Sequence, residues 1–85
     1  MTSKRKFHSI KLSYTIDNIT ITRSISERLF NDAFNETCKD PSYSEYEALV
    51  HVIYELVSNL AKGAYIQYIE CELIDDMGYK LKIVR

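Results

Sequence analysis

The spacing of hydrophobic residues along this chain is two, then three to four, then two again. From His8, Ile10, Leu12, Tyr14 and Ile16 point one way, and Lys11, Ser13 and Thr15 the other. After Asp17-Asn18 the alternation resumes, with Ile19, Ile21 and Ile25 set against Thr20, Thr22 and Ser24. A two-residue loop pairs Ile16 with Ile19, Tyr14 with Ile21, Leu12 with Arg23 and Ile10 with Ile25, which puts the apolar residues on one face. Asp and Asn both tolerate the positive φ of a type I′ turn. Arg23 alone breaks that face. It either sits at a sheet edge, pairs with an acid such as Glu27, or contacts an anion or an interface.

The period then lengthens. Ser26 is the expected N-cap of a helix, with Ile25 and Phe30 as a hydrophobic staple. Leu29, Phe30, Ala33, Phe34 and Cys38 share its apolar face. Lys39-Asp40-Pro41 breaks the run, because the residue before a proline is pushed out of the helical region. A longer helix is expected from Ser42 to Gly63. Leu49, Val50, Ile53, Leu56, Val57 and Leu60 form its stripe, with Ile53 and Leu56 at the centre of the core. Ser42 with Glu45, or Ser44 with Glu47, can form a capping box, and Gly63 suits a left-handed C-cap. Tyr14 and Tyr54 are both expected in the core.

The last third returns to a period of two. Ile69, Cys71 and Leu73 alternate with Glu70 and Glu72; Tyr79, Leu81 and Ile83 alternate with Lys80 and Lys82. Asp75-Asp76-Met77-Gly78 has Asp where a type I turn begins and Gly where a left-handed residue belongs. That turn sets Leu73 against Leu81, Cys71 against Ile83 and Glu72 against Lys82. The order is β-β-α-α-β-β. A two-layer α+β fold is therefore expected over residues 1–85 as a single domain, with residues 1–6 frayed. Its two antiparallel hairpins form a sheet covered by the two helices. Whether the hairpins join within one chain or across a dimer does not follow from the pattern.

Charge adds an asymmetry. The chain carries a net −1, but Lys4, Arg5, Lys6 and Lys11 make its start basic, and Lys80, Lys82 and Arg85 its end. Between Ser26 and Asp76 stand eleven acidic and three basic residues, a net −8. The two basic ends offer a surface for nucleic acid, though without the interleaved aromatics of a single-strand binder. Two cysteines without a CxxC, and no secretory apolar region after Met1, point to a reducing cytoplasm. No apolar run has the length of a membrane span.

Catalytic patterns are missing from the sequence. Glu47, His51 and Glu55 line up at steps of four on the long helix, a geometry open to a metal or a general base, but no further fixed-spacing ligand supports it. His8, Cys38, His51 and Cys71 match no zinc spacing, and both cysteines fall on apolar faces, where cysteine acts as a small hydrophobe. No cofactor, no metal site and no enzymatic activity are expected. Seven tyrosines and no tryptophan stand out. Tyr43, Tyr46, Tyr65 and Tyr68, interleaved with Glu45, Glu47, Glu70 and Glu72, compose a tyrosine–acid surface suited to a protein partner. Residues with AT-rich codons (Phe, Tyr, Met, Ile, Asn, Lys) total 33, against 11 for Gly, Ala, Arg and Pro, which fits a phage or low-GC bacterial origin. The expected function is a non-catalytic protein-binding module, an inhibitor or adaptor encoded by a phage or mobile element and acting in the host cytoplasm. The alternative is a small nucleic-acid binder using the basic ends. A homodimer is expected through an edge of the first hairpin, or apolar surface beside it, because those strands carry few charges and no proline.

Overall fold

The computed structural model describes residues 5–85. Six elements follow in order: β1 (Phe7–Ile16), β2 (Ile19–Ser24), α1 (Glu27–Cys38), α2 (Glu45–Leu60), β3 (Tyr68–Asp75) and β4 (Lys80–Val84). The hairpins join within the chain. β1 pairs antiparallel with β3, giving one four-stranded sheet in the order β2-β1-β3-β4. This central pairing sets Leu12 opposite Cys71, Ile10 opposite Leu73 and Tyr14 opposite Ile69, so the apolar faces of both hairpins become one surface. The two helices cover it, and the fold is α+β.

Both hairpins have the expected registers. Ile16 faces Ile19, Tyr14 faces Ile21 and Leu12 faces Arg23, and the Ile25 amide donates to the Ile10 carbonyl at 2.9 Å. Asp17 and Asn18 have φ of 50° and 65°, the left-handed pair that a type I′ turn requires. Leu73 faces Leu81, Cys71 faces Ile83 and Glu72 faces Lys82. Gly78, at φ 86°, closes that turn by donating to the Asp75 carbonyl at 3.1 Å.

β1 contains an irregularity that period two does not foresee. The register with β3 shifts between Phe7 and Ser9. The extra residue turns Phe7 inward along with Ile10, although the two are an odd number apart. Phe7 then meets Phe30 and Phe34 edge-on, with ring centroids 5.7 and 5.5 Å away. Asn31 of α1 takes the place of a strand partner: its Oδ1 accepts from the Phe7 amide at 3.0 Å and its Nδ2 donates to the Phe7 carbonyl at 2.9 Å.

α1 begins and ends as expected, whereas α2 ends short of Gly63. Ser26 caps α1, its hydroxyl accepting from the Leu29 amide at 3.3 Å. Leu29 itself is exposed; Phe30, Phe34 and Cys38 form the buried face. Of the two capping boxes open to α2, Ser44 with Glu47 forms, so the helix starts at Glu45, while Ser42 bonds to Asp40. It ends at Leu60 with Ala61 as C-cap, and Gly63 supplies its positive φ beyond the helix. The buried stripe of α2 is Ala48, Leu49, Val52, Ile53 and Val57. It winds around the helix, so Leu56 and Val50 lie half-buried at its rim and Leu60 is exposed. Tyr54 is also outside the core, at 41% exposure, whereas Tyr14 is at 2%.

Arg23 lies on the edge strand β2, exposed, and its Nε donates to the Tyr14 hydroxyl at 3.3 Å. Glu27, its expected acid, faces His8 instead. Arg5 and Lys6 are tied down rather than frayed. Arg5 pairs with Asp75 and Glu45, and the Lys6 carbonyl accepts from the Asp76 amide at 3.0 Å. Lys4 lies outside the described residues.

Candidate functional site

Helical geometry gathers the site on the outer face of α2. The capping box fixes its start: the Glu47 amide donates to Ser44 Oγ at 3.2 Å, and Glu47 Oε1 accepts from the Ser44 amide at 3.1 Å. From there residues four apart stack above one another. Tyr46, Val50 and Tyr54 make one row; Glu47, His51 and Glu55 make the next. Together with Arg85, and with Tyr43 just ahead of the helix, all of these but Glu55 line a shallow depression of about 430 Å³. Tyr46 and Tyr54 are 53% and 41% exposed, large aromatic surface left open to solvent. The ring of Tyr43 lies 5.3 Å from that of His51, whose Nε2 approaches Glu55 Oε1 at 2.8 Å. Beyond His51 a second depression is bordered by Glu36, Asp40 and Glu55, so the flank is acidic.

Arg85 reaches this face from the sheet. Its amide donates to the Ile69 carbonyl at 2.9 Å and its carbonyl accepts from the Ile69 amide at 3.1 Å, which extends the β3–β4 ladder. Its guanidinium lies 5.9 Å from the centroid of Tyr54, and its Nε donates to the Tyr54 hydroxyl at 3.3 Å.

The expected tyrosine–acid surface is divided. Tyr43, just ahead of α2, comes together with Tyr46 and Glu47 of its first turn. Glu45 turns instead to Arg5, at 2.8 Å. Tyr65 is exposed on the connection after α2. Tyr68, Glu70 and Glu72 occupy the face of the sheet turned away from the helices, because β3 sends alternate residues to opposite sides. There the Tyr68 hydroxyl donates to Glu70 Oε1 at 3.0 Å, which raises the tyrosine's pKa above its ordinary value. Lys82 Nζ approaches the same carboxylate at 3.4 Å.

The basic ends are divided too. Arg5 is taken up by Asp75 and Glu45, and Arg85 lies over α2. Lys80 and Lys82 join Lys11 on the outer sheet face, around a groove of about 390 Å³ that also includes Ser9, Glu72 and Ile74.

Asp75 is the buried charge of the described core, at 5% exposure. Arg5 Nη2 and Nε approach its Oδ2 at 3.0 and 3.1 Å, and the Met77 and Tyr79 amides both donate to Oδ1 at 2.9 Å. Desolvation pushes its pKa up, but the Tyr79 and Met77 amides and Arg5 together outweigh it and hold the carboxyl below its ordinary value. This is a structural clasp: it closes the β3–β4 turn and ties residue 5 to it. Burial pushes the Cys71 thiol up to about 12, so little thiolate forms there near neutral pH. Among the described residues no group of three or more His, Cys, Asp and Glu side chains is placed to hold a metal ion, and no helix is long and apolar enough to cross a membrane.

Sequence reasoning missed Tyr54 and Arg85 as members of this site. The four-residue spacing of Tyr46, Val50 and Tyr54 was a legible signal for the first. Nothing local placed Arg85 above them. No protein-family model, curated protein or solved structure matches the chain.

Proposed function

We propose that this protein is a non-catalytic protein-binding module whose contact surface is the outer face of α2. The observation that carries this reading is the exposure of Tyr46 and Tyr54, about two turns apart on one helix face, with Glu47 and Glu55 in the adjacent row. Tyrosine brings large contact area with few rotatable bonds, and aromatic residues are enriched at interface cores. The acidic flank suits a basic partner. The AT-rich residue usage supports a phage or mobile-element inhibitor or adaptor working in a host cytoplasm.

The test is comparative capture. Immobilised wild-type protein and the Tyr46→Ala/Tyr54→Ala double variant are exposed to the same host extract, and the retained proteins identified. A partner retained by the wild type and lost by the folded variant supports the reading. Equal retention by both overturns it.

A second reading has its own observation. Lys11, Lys80 and Lys82 share one groove on the outer sheet face, and a nucleic-acid backbone could lie there. Glu70 and Glu72 stand among these lysines and weaken the local field. Duplex and single-stranded binding measured at two salt concentrations separates the readings, since phosphate contacts give affinity that falls steeply with salt.

A further inference from the structure

We propose that the Tyr46–Tyr54 cradle receives an arginine side chain of the protein partner, and that Arg85 occupies it as a displaceable internal stand-in. This rests on the protein-binding reading of α2 and names the chemistry that face takes.

The cradle has the shape that a guanidinium uses. Tyr46, Val50 and Tyr54 follow each other at steps of four, so the two tyrosines leave the backbone about 12 Å apart along the axis with the smaller Val50 between them, and both side chains interact with Arg85. A planar, weakly hydrated cation can lie against an aromatic face there and still direct its N–H groups to hydroxyl and carboxylate acceptors at the rim. Arg85 demonstrates the fit, with its guanidinium over the Tyr54 ring and its Nε on the Tyr54 hydroxyl. Charge agrees as well. Glu47 and Glu55 stand in the adjacent row, Glu36 and Asp40 lie beyond it, and among the described residues Arg85 is the one lysine or arginine lining the depression.

The stand-in is built to leave. The backbone of Arg85 is fixed by its two bonds to Ile69, and these do not depend on the side chain. The side chain itself makes an exposed 3.3 Å hydrogen bond and a 5.9 Å ring contact to Tyr54, both at the long end of their ranges, and a further contact to Tyr46. An incoming arginine carried by a docked partner chain brings further contacts and displaces it. Until then Arg85 keeps the cradle partly filled and lowers its apparent affinity. The same geometry favours arginine over lysine, whose compact ammonium is more strongly hydrated and cannot lie flat on a ring.

The test uses the full chain with Arg85→Ala, and N-acetyl-arginine methylamide and its lysine counterpart as probes. The ring resonances of Tyr46 and Tyr54 report binding. The arginine probe is expected to shift both rings and to bind Arg85→Ala about threefold to tenfold more tightly than wild type, as removal of a tethered competitor requires. The lysine probe should bind more weakly, and Tyr54→Leu in the Arg85→Ala background should abolish the shifts. Equal arginine affinity with and without Arg85, or no ring shift at tens of millimolar in either protein, overturns the proposal. Its failure is separable from failure of the broader reading. Loss of a captured partner on Tyr46→Ala/Tyr54→Ala with no response to arginine removes only the arginine assignment. Capture that survives that double substitution removes the α2 reading itself.

Discussion

Arg5 and Asp75, 70 residues apart along the chain, meet in the fold at 3.0 and 3.1 Å. The same carboxylate accepts the Met77 and Tyr79 amides, so one acid fastens the start of the chain to the last hairpin turn. Arg5 adds a bond to Glu45 at the first turn of α2 and lies over the Phe7 ring at 5.3 Å. Three distant segments therefore meet at one arginine. Asp75→Ala should lower the melting temperature more than Glu45→Ala, because it also frees two turn amides; calorimetry on both variants checks the order.

The Asp75 clasp also gives the protein a specific acid sensitivity. Its carboxyl is held below the ordinary 3.8, so it binds a proton less readily folded than unfolded. Its stabilising contribution is complete above the unfolded value and is lost as the pH falls through the lower folded one. Melting temperature followed from pH 7 downward should drop in that window for wild type, and Asp75→Asn should start lower and lose part of the slope.

The winding stripe on α2 ranks the core positions. Ile53 is 1% exposed and should cost about 2–5 kcal/mol on truncation to Ala. Leu56, at the rim, should cost clearly less, although its spacing alone makes it look central. Denaturant unfolding of Ile53→Ala and Leu56→Ala gives the comparison; equal losses would contradict the rim position.

Tyr14 and Arg23 form a pair that satisfies a hydroxyl at the edge of the core. Tyr14→Phe should destabilise by about 1 kcal/mol, the net worth of an ordinary hydrogen bond. Arg23→Ala should add little on top of Tyr14→Phe. A double-mutant cycle measures that coupling, and full additivity would mean the bond contributes nothing.

The thiols are predicted to be silent in the folded state. With its pKa at about 12 against an ordinary 9.0, Cys71 holds roughly a thousandfold less thiolate at pH 8 than a free cysteine. Cys38 is buried in the same core. A thiol-specific reagent should therefore label both cysteines promptly in denaturant and only slowly in buffer.

The sequence by itself determined every element and both hairpin registers. Strand alternation, the Asp17-Asn18 and Asp75–Gly78 turns, the Ser26 cap and the break at Pro41 are all set within a few residues, and local geometry enforces them. It also held the Glu47–His51–Glu55 row, which follows from helical pitch alone. The tertiary structure decided what brings distant residues together. Pairing of β1 with β3 made two hairpins one sheet, and it left β2 and β4 as the edges. The alternation of β3 sent Glu70 and Glu72 away from Tyr46, which dissolved the single tyrosine–acid surface. The register shift at Phe7 and the oblique contact line of α2 depend on how layers meet, and periodicity averages over both. Arg85 over Tyr54 and Arg5 on Asp75 are contacts between segments whose local patterns are independent. Only a closed core fixes their relative positions, so no spacing along the chain encodes them.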